Sequence, residues 1–506
     1  MKVLLISIGK TFRYSNPGID LLAGYLRSKN YNVDIMYFHQ KESYEEIVDV
    51  LPVNYDVIGM SVYSSNYSVF LELSLYLKKN SNAWIIWGGA FPSMYYRDIF
   101  KASENIDYII LGDGEKPFEF LLEKLRLEEI CFNHESIASR YDFENKKNFC
   151  NREIDYLPVF DYYENVLIHR NKEKIHCIQT KNNVCTGNCS FCYERKGKIS
   201  YKSLDLIAKE IKYVYEKFGV RKFYFADDNL LDPNNDEVKD RIKNLCYLLQ
   251  EYRNKVVFTC YIKAISFNNC KEDSELLSLM RLTGFTTMFI GIESGNNEDL
   301  KLYNKYTSVS DNIQIITLLK KHNIIPMVGF ININPYSTLE KLKKNYYFLL
   351  NIESINLFSY GCSFLNLYKG TSIYDKVVSD NLLTDKYTIF ADTEYGYYDE
   401  SVVPVANFVK NELAPRILAL EVETSWLIQR CEDSSVINVE AEKYREILEE
   451  HAKEEFILIK KYFYDLYVKN DISKCRDNLE AFMDVFEKKV PELTNILKDI
   501  NRLKCE

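Results

Sequence analysis

At 506 residues the chain is too long for one ordinary hydrophobic core and predicts about two to four domains. With 47% hydrophobic residues and no apolar run near the ~18 residues a bilayer span needs, composition points to a soluble globular protein. The net charge of −9 excludes a nucleic-acid groove over the whole surface and leaves room only for a local basic patch, so neither nucleic acid nor membrane is expected as a partner. Thirteen cysteines, an odd number without regular pairing, fit thiols kept reduced in the cytosol. The apolar start Met1 to Ile8 is too short for a signal peptide and leads into a strand, so a cytoplasmic location is expected.

Over residues 1–125, short apolar runs flanked by turn residues predict strands at Val3 to Ile8, Val33 to Tyr37, Val57 to Ser61, Ala83 to Trp87 and Tyr108 to Leu111. Helical periodicity separates them at Ile19 to Ser28, Ser68 to Lys79 and Lys116 to Lys124. This alternation predicts a doubly wound parallel sheet with its ligand at the carboxyl ends of the strands. Small and turn-forming residues gather there: Ser15-Asn16-Pro17-Gly18, Ser61 to Ser65, Gly88-Gly89 and Gly112-Asp113-Gly114-Glu115. Glycine admits a sharp turn or a bulky ligand, and tight turns alone explain each segment equally well.

Residues 126–170 are charged and Asn-rich and end in Ile154-Asp155-Tyr156-Leu157-Pro158-Val159-Phe160-Asp161, which predicts an extended linker. From 171 to 385 strands are predicted at Ile175 to Thr180, Lys222 to Ala226, Val256 to Ile262, Thr287 to Gly291, Met327 to Ile331 and Ile355 to Tyr360. Helices intervene at Ser203 to Phe218, Asp236 to Tyr252, Glu275 to Leu282, Asp311 to His322 and Leu339 to Leu350. From 386 to 506, after the Tyr-rich Tyr387 to Tyr398, helical patterns at Asn407 to Gln429, Val439 to Lys469 and Asp477 to Leu503 predict a helical domain capping the barrel. Cys431, Cys475 and Cys505 form no compact second cluster motif there.

The loop after the strand at Ile175 reads Val184-Cys185-Thr186-Gly187-Asn188-Cys189-Ser190-Phe191-Cys192-Tyr193. A C-x-x-x-C-x-x-C spacing lets three thiolates wrap an iron–sulfur cluster where a closed one takes four, leaving one iron open. A zinc loop is the alternative, and no fourth ligand stands nearby at usual zinc spacing. The spacing resembles the signature of the radical SAM superfamily, in which the open iron of a [4Fe-4S] cluster binds the amino and carboxylate groups of S-adenosylmethionine (SAM). The resemblance implies Cys185, Cys189 and Cys192 as cluster ligands and Phe191 against the adenine. It also implies that the six strand–helix units form that family's partial (β/α)6 barrel, with chemistry at the strands' carboxyl ends.

Further residues fit the same pattern. Ala226-Asp227-Asp228-Asn229 follows the second barrel strand, and Asp227 or Asp228 is expected at the methionyl end of SAM, with helix caps or Asx turns as the plain alternative. Gly291-Ile292-Glu293-Ser294-Gly295 resembles a segment whose acidic residue and serine lie near the SAM ribose or methionine; a carboxylate suits a pair of sugar hydroxyls. Two stretches depart from the family: Val328 to Tyr336 lacks the usual Gly-Leu-Pro, and Tyr368-Lys369-Gly370-Thr371-Ser372 stands where Pro-Gly-Thr is common. Cys362, expected at the mouth of the sixth strand, is a candidate hydrogen-atom donor, with a buried small hydrophobe as the plain reading.

The amino-terminal sheet resembles the cobalamin-binding domain found ahead of the radical SAM domain in many members. Trp87-Gly88-Gly89-Ala90-Phe91-Pro92 and Leu111-Gly112-Asp113-Gly114-Glu115 look like its fourth and fifth strand ends, which implies Gly88, Gly89, Gly112, Gly114 and Glu115 at cobalamin. Gly9-Lys10-Thr11-Phe12-Arg13 lacks the axial histidine of a D-x-H-x-x-G loop, as radical SAM relatives usually do. A sheet that has lost its cofactor is the alternative.

The resemblance, over residues 1 to about 385, implies an enzyme that cleaves SAM to a 5′-deoxyadenosyl radical and, with cobalamin, methylates an unactivated carbon. Its substrate would be a small molecule or peptide and its reductant a flavodoxin or ferredoxin. Epimerisation or another rearrangement using Cys362 without cobalamin is the nearest rival. An iron–sulfur sensor that does no turnover is the rival from another class, and Gly291 to Gly295 argues against it, because a sensor need not bind SAM.

Overall fold

The run Lys2–Gly9 (β1) reads Lys-Val-Leu-Leu-Ile-Ser-Ile-Gly and is buried over its whole middle, as a strand covered on both faces must be. In the computed structural model it belongs to a six-stranded sheet of order β2-β1-β3-β4-β5-β6. The structure describes residues 1–9, 16–39, 42, 44–144, 146–148, 154–164, 174–182, 184–193, 197–353, 357–390, 392–416, 450, 453–485 and 495. The other strands are β2 (Asn32–His39), β3 (Val57–Ser61), β4 (Trp84–Gly88), β5 (Tyr108–Ile110) and β6 (Ile137–Ser139). The first five are parallel, and β6 runs antiparallel to β5 with Tyr108 opposite Ser139. Order 2-1-3-4-5 reverses between β1 and β3, which opens the ligand crevice of a doubly wound fold at their carboxyl ends.

Helices α1 (Pro17–Ser28), α2 (Tyr44–Val50), α3 (Tyr67–Asn80), α4 (Ala90–Ala102) and α5 (Glu115–Arg126) link these strands. Asn16 caps α1 by accepting from the Ile19 amide, and Pro17 fills the first turn, where no amide is missed. Leu26 of α1 and Phe118, Leu121 and Leu122 of α5 pack on Val3, Leu5, Val33, Val57 and Ile86 of the sheet. Helices α2 and α4 and strand β6 are among the elements that escaped the sequence reading. Helix α2 has one buried residue, α4 is kinked at Tyr95, and β6 has three residues inside the stretch read as linker; none shows a sustained period.

A second sheet has the order β11-β10-β9-β8-β7, built from β7 (Ile175–Ile178), β8 (Lys222–Phe225), β9 (Val257–Lys263), β10 (Phe285–Glu293) and β11 (Ile325–Phe330). The sixth strand expected at Ile355 to Tyr360 is not found. Leu357–Gly361 is a short helix, residues 354–356 lie outside the described residues, and a single parallel bridge, Ile333 to Phe364, stands near that place. A short apolar run cannot separate strand from buried helix by periodicity, which is why the reading failed here.

The chain divides into two compact units. One holds Met1–Gly187, Tyr193–Tyr261 and Thr283–Phe285; the other holds Asn188–Cys192, Ile262–Leu282 and Thr286–Glu506. Within the first unit the segment read as linker is pinned rather than free. Arg27 of α1 grips both carboxylate oxygens of Asp161 (2.8 and 2.6 Å), and the Val159 amide donates to the Asp20 carbonyl (3.0 Å). The Tyr163 hydroxyl meets Nδ1 of His176 on β7 (2.8 Å), and Nε2 of that ring meets Glu210 Oε1 (2.9 Å). Lys202 donates to the other Glu210 oxygen (2.8 Å), and all four side chains are buried. Burial pushes the Glu210 carboxyl up, but the Lys202 ammonium and the His176 ring outweigh it and hold it below the usual carboxylate range.

In the second unit the described carboxyl-terminal residues are largely helical, with π-helical turns at Val409–Leu413 and Tyr464–Val468 and a helix at Ile472–Asp477. The expected helix ends at Gln429 and Leu503, together with Cys431 and Cys505, lie outside the described residues. No helix among the described residues is long and apolar enough to cross a membrane.

Candidate active site

The cluster loop leaves the carboxyl end of β7, and a buried set of charges shapes its first half. The Asp227 carboxylate accepts from the Thr180 amide (2.9 Å), the Thr180 hydroxyl (2.7 Å) and the Lys181 amide (3.1 Å). Asp232, fully buried, accepts from the Thr186 amide (2.8 Å) and from the Thr186 hydroxyl. Lys181, also buried, donates to the Val184 carbonyl and stands 3.8 Å from Asp232. Two carboxylates and one ammonium thus fix the backbone on both sides of Cys185. A further amide, from Gly187, donates to the Cys185 sulfur at 3.3 Å.

The second half of the loop is anchored by other elements, all in the second unit. The Ser190 amide and hydroxyl donate to the carbonyls of Tyr303 (2.9 Å) and Leu302 (2.7 Å), while Asn304 donates to the Asn188 carbonyl (2.7 Å). The Ser190 carbonyl accepts from the Ile373 amide (3.0 Å). Phe191, named from sequence as the adenine contact, stands edge-on to Tyr303 at 5.4 Å. Cys185 and Cys189 are half-buried, Cys192 is exposed, and none of the three is in a disulfide. Among the described residues no group of three His, Cys, Asp or Glu side chains is already gathered as a metal-holding set. The fit to an iron–sulfur cluster therefore rests on donor chemistry: three accessible thiols on one short, externally braced loop.

Several expected SAM contacts are placed differently. Asp227 is spent on Thr180 and Lys181, and burial pushes its carboxyl up against those bonds, so it braces the loop from beneath; Asp228 beside it is exposed. Ser294 is fully buried, and its hydroxyl joins Asn345 Oδ1 (3.0 Å) and Asn296 Nδ2 (3.0 Å). Glu293 ends β10 in the left-handed region (φ 64°) at an irregularity in the pairing with β11. Its carboxylate pairs with Lys305 at 3.2 Å; burial pushes the carboxyl up, and the Lys305 ammonium opposes that. Cys362 is corrected as well. It follows the short helix Leu357–Gly361, only 5% exposed, with Tyr462 and Tyr467 of the carboxyl-terminal helices among its electrostatic neighbours.

At the amino-terminal sheet Gly89 has φ 106°, and a Cβ there would stand 2.9 Å from the Val62 carbonyl oxygen, so only glycine fits the backbone. Nothing lies within 4 Å of where a Cβ on Gly88 would be. That open edge at the end of β4 suits a broad, flat macrocycle, so the residues present fit cobalamin. The Ser93 hydroxyl joins the two glycine loops, donating to the Gly89 carbonyl (2.7 Å) and accepting from the Gly112 amide (3.0 Å). Gly114 lies beside Leu22 of α1. Glu115 is buried and accepts from the Tyr156 hydroxyl (2.8 Å), which tethers the linker. Lys10 to Ser15, where an axial histidine is missing from the sequence, lie outside the described residues.

Residues 1–122 match the B12 binding domain and residues 181–349 match the radical SAM superfamily. The chain belongs to the radical SAM superfamily, in the group where a B12 binding domain precedes the radical SAM domain. These domains imply a [4Fe-4S] cluster with SAM, and cobalamin, as cofactors. Among curated relatives, the anaerobic magnesium-protoporphyrin IX monomethyl ester cyclase of Synechocystis sp. is 25% identical over 54% of this chain and 55% of its own. The 4'-phospho-dehydrooxetanocin synthase of Priestia megaterium is 24% identical over 86% of this chain and 60% of its own. The chain thus spans little more than half the length of these relatives. Among solved structures, the cobalamin-dependent SAM radical enzyme OxsB, with aqua-cobalamin and SAM bound, aligns with TM-score 0.74 at 18% identity, covering 99% of this chain and 81% of that one. The radical SAM methyltransferase TsrM from Kitasatospora setae aligns with TM-score 0.57 at 15% identity, covering 75% and 78%. At these identities the likeness shows the fold.

Lys181 and Asp232 were missed from sequence, because their role comes from buried charge, and the anchoring of the loop by Tyr303 and Asn304 rests on contacts more than a hundred residues apart. Asp232→Ala is expected to leave Lys181 buried without its carboxylate and to free Thr186. Destabilisation of about 3 kcal/mol and at least half of the iron lost on desalting are the expected results, read by urea unfolding and iron analysis. Full iron retention at an unchanged unfolding midpoint would count against the brace.

Proposed function

We propose that this chain methylates an unactivated carbon of a small-molecule or peptide substrate by radical chemistry that uses SAM and cobalamin. The observation that carries the reading is the three-thiol loop, braced on both halves, at the carboxyl end of the first barrel strand. When bound, the cluster supplies the electron that cleaves SAM, and cobalamin supplies the methyl group. Asp227, Asp232 and Lys181 hold the loop in place, Glu293 with Lys305 orients the nucleoside, and Phe191 with Tyr303 supplies an apolar wall that excludes water. An outside one-electron donor such as flavodoxin or ferredoxin would reduce the cluster.

The rival reading is epimerisation or another radical rearrangement without cobalamin, with Cys362 as the hydrogen-atom donor. A hydrogen-donating role for Cys362 gains no support, since its thiol is buried. Turnover with methyl-labelled SAM in deuterium oxide separates these outcomes once a substrate is in hand. Methylation places the label in the product, and Cys362→Ala keeps most of the activity. A product that gains a deuteron and no methyl group would overturn the methylation reading.

A further inference from the structure

Asn66 stands just before α3, where an asparagine ordinarily caps a helix, yet its side chain makes no capping bond. It is buried and reaches back instead to the ends of two strands. Its Nδ2 donates to the Ile8 carbonyl of β1 (3.0 Å) and to the Ser61 carbonyl of β3 (3.5 Å), and its Oδ1 accepts from the Tyr63 amide (2.7 Å). The pairing of β1 with β3 stops at Ser7 opposite Ser61, so these groups lie where the two strands part and the ligand crevice opens. Buried backbone groups at such a place lack the next rung of the ladder, and one side-chain amide supplies it. The loop it holds also meets the glycine edge of β4. The Val62 amide donates to the Gly88 carbonyl (2.9 Å), and the Val62 carbonyl is the group that a Cβ on Gly89 would strike. All these residues belong to the same compact unit.

We propose that Asn66 is a positioning residue that holds the loop between β3 and α3 at the crevice and thereby sets the affinity for cobalamin. The proposal rests on the cobalamin-dependent reading above. An amide suits the place because it donates and accepts at once. A carboxylate of the same shape only accepts, and it would face the Ile8 and Ser61 carbonyls with no proton to share. Without these bonds the loop is no longer held in the binding conformation, and ordering it opposes binding.

The test uses the full chain with its cluster loaded, as wild type, Asn66→Ala, Asn66→Asp and Asp107→Ala. Asp107 accepts from the Ile85 amide (2.7 Å) just before β5, at the edge of the same sheet opposite the crevice, so its loss weakens the sheet without touching the loop. Urea unfolding, iron content and a hydroxocobalamin titration followed by absorbance are read on each protein. Both Asn66 variants are expected to hold iron as wild type does and to bind cobalamin about tenfold more weakly. Asp107→Ala is expected to unfold at lower urea and to stay within about twofold of the wild-type dissociation constant. Wild-type affinity in the Asn66 variants would overturn the proposal alone. Equal weakening in Asp107→Ala, or Asn66 variants too unfolded to hold iron, would make Asn66 a prop of the fold and overturn it too. Wild-type protein that takes up no cobalamin would overturn the reading beneath and the proposal with it.

Discussion

Alanine at Cys185, Cys189 and Cys192 together is expected to leave a folded chain with no bound iron and 5′-deoxyadenosine formation at reagent background. These three thiols lie on an eight-residue loop, and Thr186, Ser190 and Asn188 each anchor it through contacts that alanine at the cysteines leaves in place. Folding should therefore survive the change while cluster ligation does not. The measurement is iron and sulfide content with SAM turnover under anaerobic reduction. Retained SAM cleavage with iron still bound would refute the assignment of these ligands.

Lys202→Met is expected to be the most destabilising of the single substitutions considered, by about 3–5 kcal/mol. The ammonium is buried on the Glu210 carboxylate at 2.8 Å, and methionine keeps the volume while leaving that carboxylate with His176 alone. Acid behaviour should change with it. The folded Glu210 carboxyl lies below its ordinary value of about 4.3, so its stabilisation is complete above that pH and fades as pH falls through the folded value. The Met variant should lack that acid-side loss because the cation that depresses the carboxyl is gone. Urea unfolding from neutral pH into acid reads both effects; a midpoint within experimental error of wild type at neutral pH would show the pair to be dispensable.

Sequence and structure agree where a pattern is long or chemically specific. Strands β1 to β5 are continuous apolar runs between turn residues, and each is found within a residue or two of its expected place. The misses share a cause: they depend on tertiary contact. Leu357 to Gly361 is apolar and short, and Gly361 packs so close to Phe463 that a Cβ would stand 2.2 Å from its ring, a contact over a hundred residues distant in sequence. The bonds from Ser294 to Asn345 and from Thr180 to Asp227 likewise join residues that no sequence period links.

Hydroxocobalamin titration of the cluster-loaded protein, followed by absorbance and by EPR of the reduced Co(II) form, tests the central claim most directly. The account predicts one cobalamin per chain bound at micromolar affinity, about −8 kcal/mol, with no three-line nitrogen splitting from an axial histidine. No binding at tens of micromolar would contradict it.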